Sequence, residues 1–210
     1  MDAITAAELT APDLTLTAPQ LERRQRIMDA AAELARAGGY DAVQMREVAA
    51  SADVALGTLY RYFPSKEHLL VSILLDQVQL LGKYVARHPP AGEDPHARVV
   101  ELLRRATRAL QAEPRLTAAT LRAFVSPDPS IAVVVRATER ATTDVILTVL
   151  QDGACGRDAR AVARYLQYIG MASLASWING TARAEQVDAD LTEAAALLLA
   201  GAATRQDTPI

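Results

Sequence analysis

From residue 17 onward, apolar residues recur at spacings of three and four. No stretch alternates with period two, so the pattern predicts helices alone. Thr17-Ala18-Pro19-Gln20 reads as a capping box, with Thr17 as N-cap and Gln20 at the third helical position. Pro19 is tolerated there because its missing N–H falls in the unbonded first turn. Ile27, Ala30, Ala31 and Leu34 continue one apolar face until Gly38-Gly39 ends the helix. Two short helices are expected next, Met45–Ser51 and Leu56–Tyr62, joined by a turn at Ala52-Asp53-Val54. Neither is long enough to stand alone, so tertiary packing must hold both. Pro64-Ser65 stops the chain, and Ser65 caps a long helix over Lys66–Arg87 with Leu69, Leu70, Ile73, Leu74, Val78 and Leu81 on its apolar positions.

Prolines punctuate the rest of the chain. A loop from Pro89-Pro90 to Pro95 leads to a fifth helix over 96–112, carrying Val99, Leu102, Leu103, Ala106 and Leu110. Pro114 opens a sixth with Leu116, Leu121, Phe124 and Val125, which Ser126-Pro127-Asp128-Pro129 breaks. Asp128 as N-cap and Pro129 at the first position start a seventh, closed by Gly153 to Gly156. An eighth, over 158–179, ends at Gly180, and a ninth covers 188–200. The expected fold is therefore all-α, with nine helices, no sheet and no fixed-period repeat. Residues 1–16 are small, polar and acidic without a helical period, and are expected to form a mobile arm.

Composition narrows the classes. Half of the 210 residues are hydrophobic but only 4% are aromatic, so Ala, Leu and Val must do most of the packing. The formal net charge is -3, and basic and acidic residues nearly balance over 20–66, so any nucleic-acid contact must rest on local placement. A lone Cys155 excludes an internal disulfide and a multi-cysteine metal site, and fits a reducing cytoplasm. The start lacks a signal-peptide pattern, and no apolar run reaches transmembrane length, which leads to the expectation of a cytoplasmic protein without a membrane partner. His68, His88 and His96 show no metal spacing. Phosphate-loop, dinucleotide, zinc and nucleophile signatures are absent, so neither cofactor nor enzymatic activity is expected.

Two short helices in a tight turn, set between longer ones, make a helix-turn-helix. Its second helix must present its N-terminal end to the major groove while flanking groups grip phosphates. Here that helix is Leu56-Gly57-Thr58-Leu59-Tyr60-Arg61-Tyr62. Gly57 permits close backbone approach, Thr58 can donate or accept, and Leu59 and Phe63 face inward. Tyr60, Arg61, Tyr62 and Lys66 supply donors toward phosphates, and the first N–H groups of the following helix add a weak anion site. Arg23, Arg24 and Arg26 fit a solvated face as well as a phosphate contact.

The run Gly39-Tyr40, Val43, Arg46-Glu47-Val48-Ala49 and Ala52 through Leu70 resembles the DNA-binding signature of the TetR repressor family. The resemblance implies a dimer, a ligand cavity in the C-terminal helices, and release of DNA when ligand binds. It adds Gln44 and Arg46 to the candidate DNA contacts. Gln44 and Ala55 depart from the family pattern, which often has Thr or Ser at both positions. Gln44 can still reach a base or phosphate, whereas Ala55 offers only backbone or methyl. The stretch Gly38 to Leu70, with Glu113-Pro114-Arg115-Leu116-Thr117, Arg122-Ala123-Phe124-Val125 and Leu174-Ala175-Ser176-Trp177-Ile178, is similar to the cholesterol-catabolism (KstR-type) repressors of actinobacteria, which implies a steroid acyl-CoA thioester as inducer.

The expected division is therefore a DNA-binding domain over 17–65 and a ligand-binding and dimerisation domain over 66–210. Expected partners are a palindromic double-stranded operator, a hydrophobic inducer and a second copy of the chain. Candidate ligand-binding residues are Leu74, Val78, Leu102, Leu121, Phe124, Tyr165, Tyr168, Met171 and Trp177. Each is also an ordinary core position, and Trp177 suits a core or interface as well. Arg104, Arg105 and Arg108 can attract an anionic ligand tail or simply face water. Two alternatives stay open: the same fold sensing fatty acyl-CoA or multiple drugs, and a helical carrier or enzyme that does not bind DNA.

Overall fold

The computed structural model describes residues 16–150 and 158–206. They form α1 (Ala18–Ala42), α2 (Met45–Ser51), α3 (Leu56–Tyr62), α4 (Lys66–Arg87), α5 (Pro95–Ala112), α6 (Pro114–Phe124), α7 (Ala132–Val149), α8 (Ala159–Ile178) and α9 (Ala184–Gln206). The expected mobile arm, the glycine loop closing the seventh helix and Cys155 lie outside the described residues, apart from residue 16.

Local chemistry sets most of the boundaries. The Thr17 N–H donates to Gln20 Oε1 at 2.8 Å, one half of the expected capping box. Within α1 the backbone breaks at Gly39, whose φ of 72° is costly for any residue with a Cβ. Ser65 accepts from His68 N at 3.1 Å to start α4, and Asp94 accepts from Ala97 N at 2.7 Å to start α5. Two starts differ from expectation by more than a residue, and α9 runs on to Gln206, past the expected end at 200. Pro129–Ile131 forms a separate 3-10 turn before α7, because Asp128 accepts from Ser130 N and tightens that turn. Helix α9 begins four residues before Asp188, because Val187, one turn ahead of Leu191, is fully buried and carries the apolar stripe backward.

The core has three parts. The first gathers Ile27, Ala31, Val43, Val48, Leu59 and Phe63 with Leu69, Leu70 and Val71 of α4. It does not stop at residue 65: Leu116, Ala119 and Ala123 of α6, with Ile131 and Val134, belong to the same cluster. The second joins the end of α4 to α5, α7, α8 and α9 through Val85, Val99, Leu102, Ile146, Leu166 and Ala195. A smaller third packs Leu121 of α6 on Leu174, Val187 and Leu191. Helix α4 is long and apolar enough to cross a membrane by length and composition, contrary to the reading of the sequence. Its stretch from Leu69 through Leu74 is instead buried in the protein interior, while Leu80 and Tyr84 further along are exposed.

Candidate DNA-binding surface and ligand cavity

Helix α3 stands on Leu59 and Phe63, both fully buried. Leu56 is half-buried against the same cluster and serves as support. With those side chains turned in, Gly57, Tyr60 and Arg61 turn out, and Tyr60 is 47% exposed. Thr58 is half-buried. A Cβ at Gly57 would meet nothing within 4 Å, so the bare backbone there faces open space. Gln44 and Arg46 are exposed at the start of α2, with Gln44 Nε2 donating to Asp41 O at 2.8 Å.

Two expected phosphate donors are placed otherwise. The Tyr62 ring packs against the core cluster, and its hydroxyl is buried without a hydrogen-bond partner. Lys66 holds its ammonium over the Tyr40 ring, 3.8 Å from the centroid, and donates to Tyr40 O at 3.4 Å. Sequence periodicity cannot reveal this second case, because Tyr40 and Lys66 meet only when α1 and α4 pack. The Tyr40 ring also carries the Arg122 guanidinium of α6 at 3.9 Å, and its hydroxyl donates to Glu67. Burial, followed by the neighbouring Glu67 carboxylate, pushes the Tyr40 phenol up to about 12.

More polar contacts tie α1 to α6. Arg36 bonds Glu113 at 2.8 Å, a pairing that holds its guanidinium in the charged form, and Arg115 donates to Ala37 O at 2.6 Å. Nearby, the Ser65 and Ser130 hydroxyls lie 3.0 Å apart, linking the start of α4 to the turn before α7.

The opposite faces of α4 and α6 help to enclose a cavity of about 620 Å³, completed by α5, α7, α8 and Leu191 of α9. Leu74, Val78, Leu102, Leu121, Phe124, Tyr168 and Met171 line it. Tyr165 and Trp177, also expected in its wall, do not. Tyr165 is 45% exposed on the outer face of α8, and Trp177 packs in the small cluster with Leu121 and Leu174. The helical period that groups Tyr165 with Tyr168 and Met171, which do line the cavity, cannot tell an inward stripe from an outward one. Sequence reading missed Gln77, Leu80, Tyr84 and Thr138 in the wall. Tyr84 stacks on His88 at 4.4 Å, and Arg105, another lining residue, donates to His88 O at 2.7 Å. Among the described residues no group of three or more His, Cys, Asp or Glu side chains is placed to hold a metal.

Residues 27–73 match the family described as "Bacterial regulatory proteins, tetR family", and residues 92–198 match "Tetracyclin repressor-like, C-terminal domain". The chain belongs to the TetR family. It is a TetR-type transcriptional repressor and not an enzyme. It is 40% identical over 204 residues to the "HTH-type transcriptional repressor KstR" of Rhodococcus jostii, covering 97% of this chain and 95% of that protein. Among solved TetR structures, a regulator from Rhodococcus sp. RHA1 superposes with a TM-score of 0.78 at 33% identity, over 86% of this chain and 96% of that one. The TetR-family transcriptional repressor FadR of Thermus thermophilus, solved in complex with lauroyl-CoA, superposes with a TM-score of 0.69 at 27% identity, over 85% of this chain and 94% of that one.

Proposed function

We propose that two copies of this chain hold a palindromic operator through their α3 helices and are released when a hydrophobic acyl-CoA enters the cavity. The observation that carries this reading is the sharing of walls. Helices α4 and α6 line the cavity with Leu74, Val78, Leu121 and Phe124, and the same helices bury Leu69, Leu70, Leu116 and Ala123 in the core beneath α3. A ligand that moves either helix therefore moves the support of the DNA reader. In the bound state Gln44, Arg46, Gly57, Thr58, Tyr60 and Arg61 face the groove. Leu56 and Tyr62 brace α3, and Lys66 reaches a phosphate only by leaving Tyr40. The dimer sets the two α3 helices on the order of 34–50 Å apart, one to one and a half helical turns. Such a protein works in the cytoplasm, beside the chromosome.

A volume of about 620 Å³ suits the apolar part of such a ligand, with its nucleotide head outside by Tyr84, His88 and Arg105. Moving a repressor from mostly bound to mostly free takes about 5.5 kcal/mol of differential affinity. Burying seven methylene groups at about 0.8 kcal/mol each supplies it, provided burial is complete only in the released form. The resemblance to KstR-type repressors, which implies a steroid acyl-CoA inducer, favours a steroid-derived acyl group as the first reading. The lauroyl-CoA complex of the FadR relative supports a fatty acyl chain as the second reading.

The test is fluorescence anisotropy with the DNA upstream of the protein's own gene, followed by titration with lauroyl-CoA and a steroid acyl-CoA. Palindrome-dependent binding that one thioester reverses is the expected result, and binding indifferent to the palindrome would sink the reading. Arg61→Ala should weaken binding across sequences and lower the salt slope by about one for each subunit's lost phosphate contact.

A further inference from the structure

An apolar cavity has little use for an amide, yet Gln77 lies in this wall between Leu74 and Leu81 on α4. Helix formation does not explain it, since Leu has about the same propensity. The threonines of the wall and its other glutamine already have partners, while Tyr84, Glu139 and Tyr168 are exposed. Thr138 and Thr142 donate to Val134 O and Thr138 O, each at 2.9 Å, and Thr107 donates to Arg104 O and Asp188. Gln167 donates to Thr143 Oγ1 at 2.8 Å. Gln77 Oε1 is closed to solvent and has no donor. Of the buried polar side-chain atoms without a partner among the described residues, it alone belongs to a residue lining the cavity. Such an orphan destabilises the fold unless a partner arrives.

We propose that Gln77 is the specificity residue of the cavity and that its amide oxygen accepts a hydrogen bond from a hydroxyl group on an otherwise hydrocarbon ligand. The contact requires a turn about the terminal side-chain bonds that brings the oxygen, closed to solvent without ligand, to the cavity wall, where the ligand hydroxyl donates to it. A ligand of the same shape without that proton leaves the amide unpaired and gains nothing from it. The assignment rests on the reading of this cavity as the inducer site, but it concerns the hydroxyl group and not the thioester.

The test therefore uses probes that lack CoA: long-chain alcohols and their methyl ethers, matched in length. Dissociation constants are measured by calorimetry on the full chain and on Gln77→Leu, with Gln77→Met as a second apolar replacement. The unmodified protein should bind at least one alcohol about tenfold more tightly than its ether. Both variants should lose that preference and melt at a higher temperature without ligand. Equal binding of every alcohol and ether by the unmodified protein overturns the proposal, as does a preference that survives in both variants. Failure of the acyl-CoA reading shows separately, as operator DNA that no thioester releases.

Discussion

His68 sits one turn into α4 with its ring 6.0 Å from that of Phe63, while the Arg24 guanidinium lies 5.3 Å from the same Phe63 ring. Burial, then the nearby Arg24 charge, lowers the His68 pKa below the usual 6.5, with Asp128 opposing. The folded state therefore favours neutral imidazole. The stability this residue contributes is present above 6.5 and is lost as pH falls from there through the folded value. Urea unfolding of the unmodified protein should show a drop in stability below pH 6.5 that His68→Gln reduces. Asp53, in the turn before α3, has a φ of 52°. Asp tolerates this region and a β-branched residue does not, so Asp53→Val should lower stability by about 1–2 kcal/mol in the same assay. That turn was legible in the sequence because turn chemistry is local. The positions of Tyr62 and Lys66 were not, since the one depends on a packed hydroxyl and the other on a ring from a different helix.

Helices were readable wherever a cap and a period agreed. Thr17, Ser65 and Asp128 mark starts that the structure keeps within a residue or gives a short 3-10 turn, whereas the Asp94 cap of α5 was not read from the sequence. Helix α9 was read short because its first apolar residue, Val187, follows a polar stretch that resembles loop. Inside and outside were harder than existence: α8 carries Leu166 into the core, Met171 into the cavity and Tyr165 toward solvent. Each element start also makes a prediction. Ser65 both caps α4 through His68 N and touches Ser130 across the α6–α7 connection. Ser65→Ala should cost about 1 kcal/mol of stability, seen as a lower urea midpoint with an unchanged slope.

At the scale of the molecule, two groups of exposed apolar side chains lie on the last two helices and beside the cavity, apart from Leu21, Tyr60, Val125 and Val133 elsewhere. Tyr165, Tyr168 and Leu197 lie on α8 and α9 with Leu197 68% exposed, and Leu80 and Tyr84 lie on α4. Pairing of two chains through α8 and α9 would cover the first group. Leu197→Glu should shift sedimentation toward a single chain and remove cooperative operator binding, while the circular dichroism spectrum stays that of the parent. The connection between head and body has a practical consequence for anyone wishing to graft one regulator's operator preference onto another's sensor. Because Leu116, Ala119 and Ala123 of α6 close the core under α3, a transplant cut at residue 65 carries away a roof without its rear wall. Only a donor segment that brings its own α6 along, or a recipient whose α6 presents the same small and branched residues, should yield a folded hybrid.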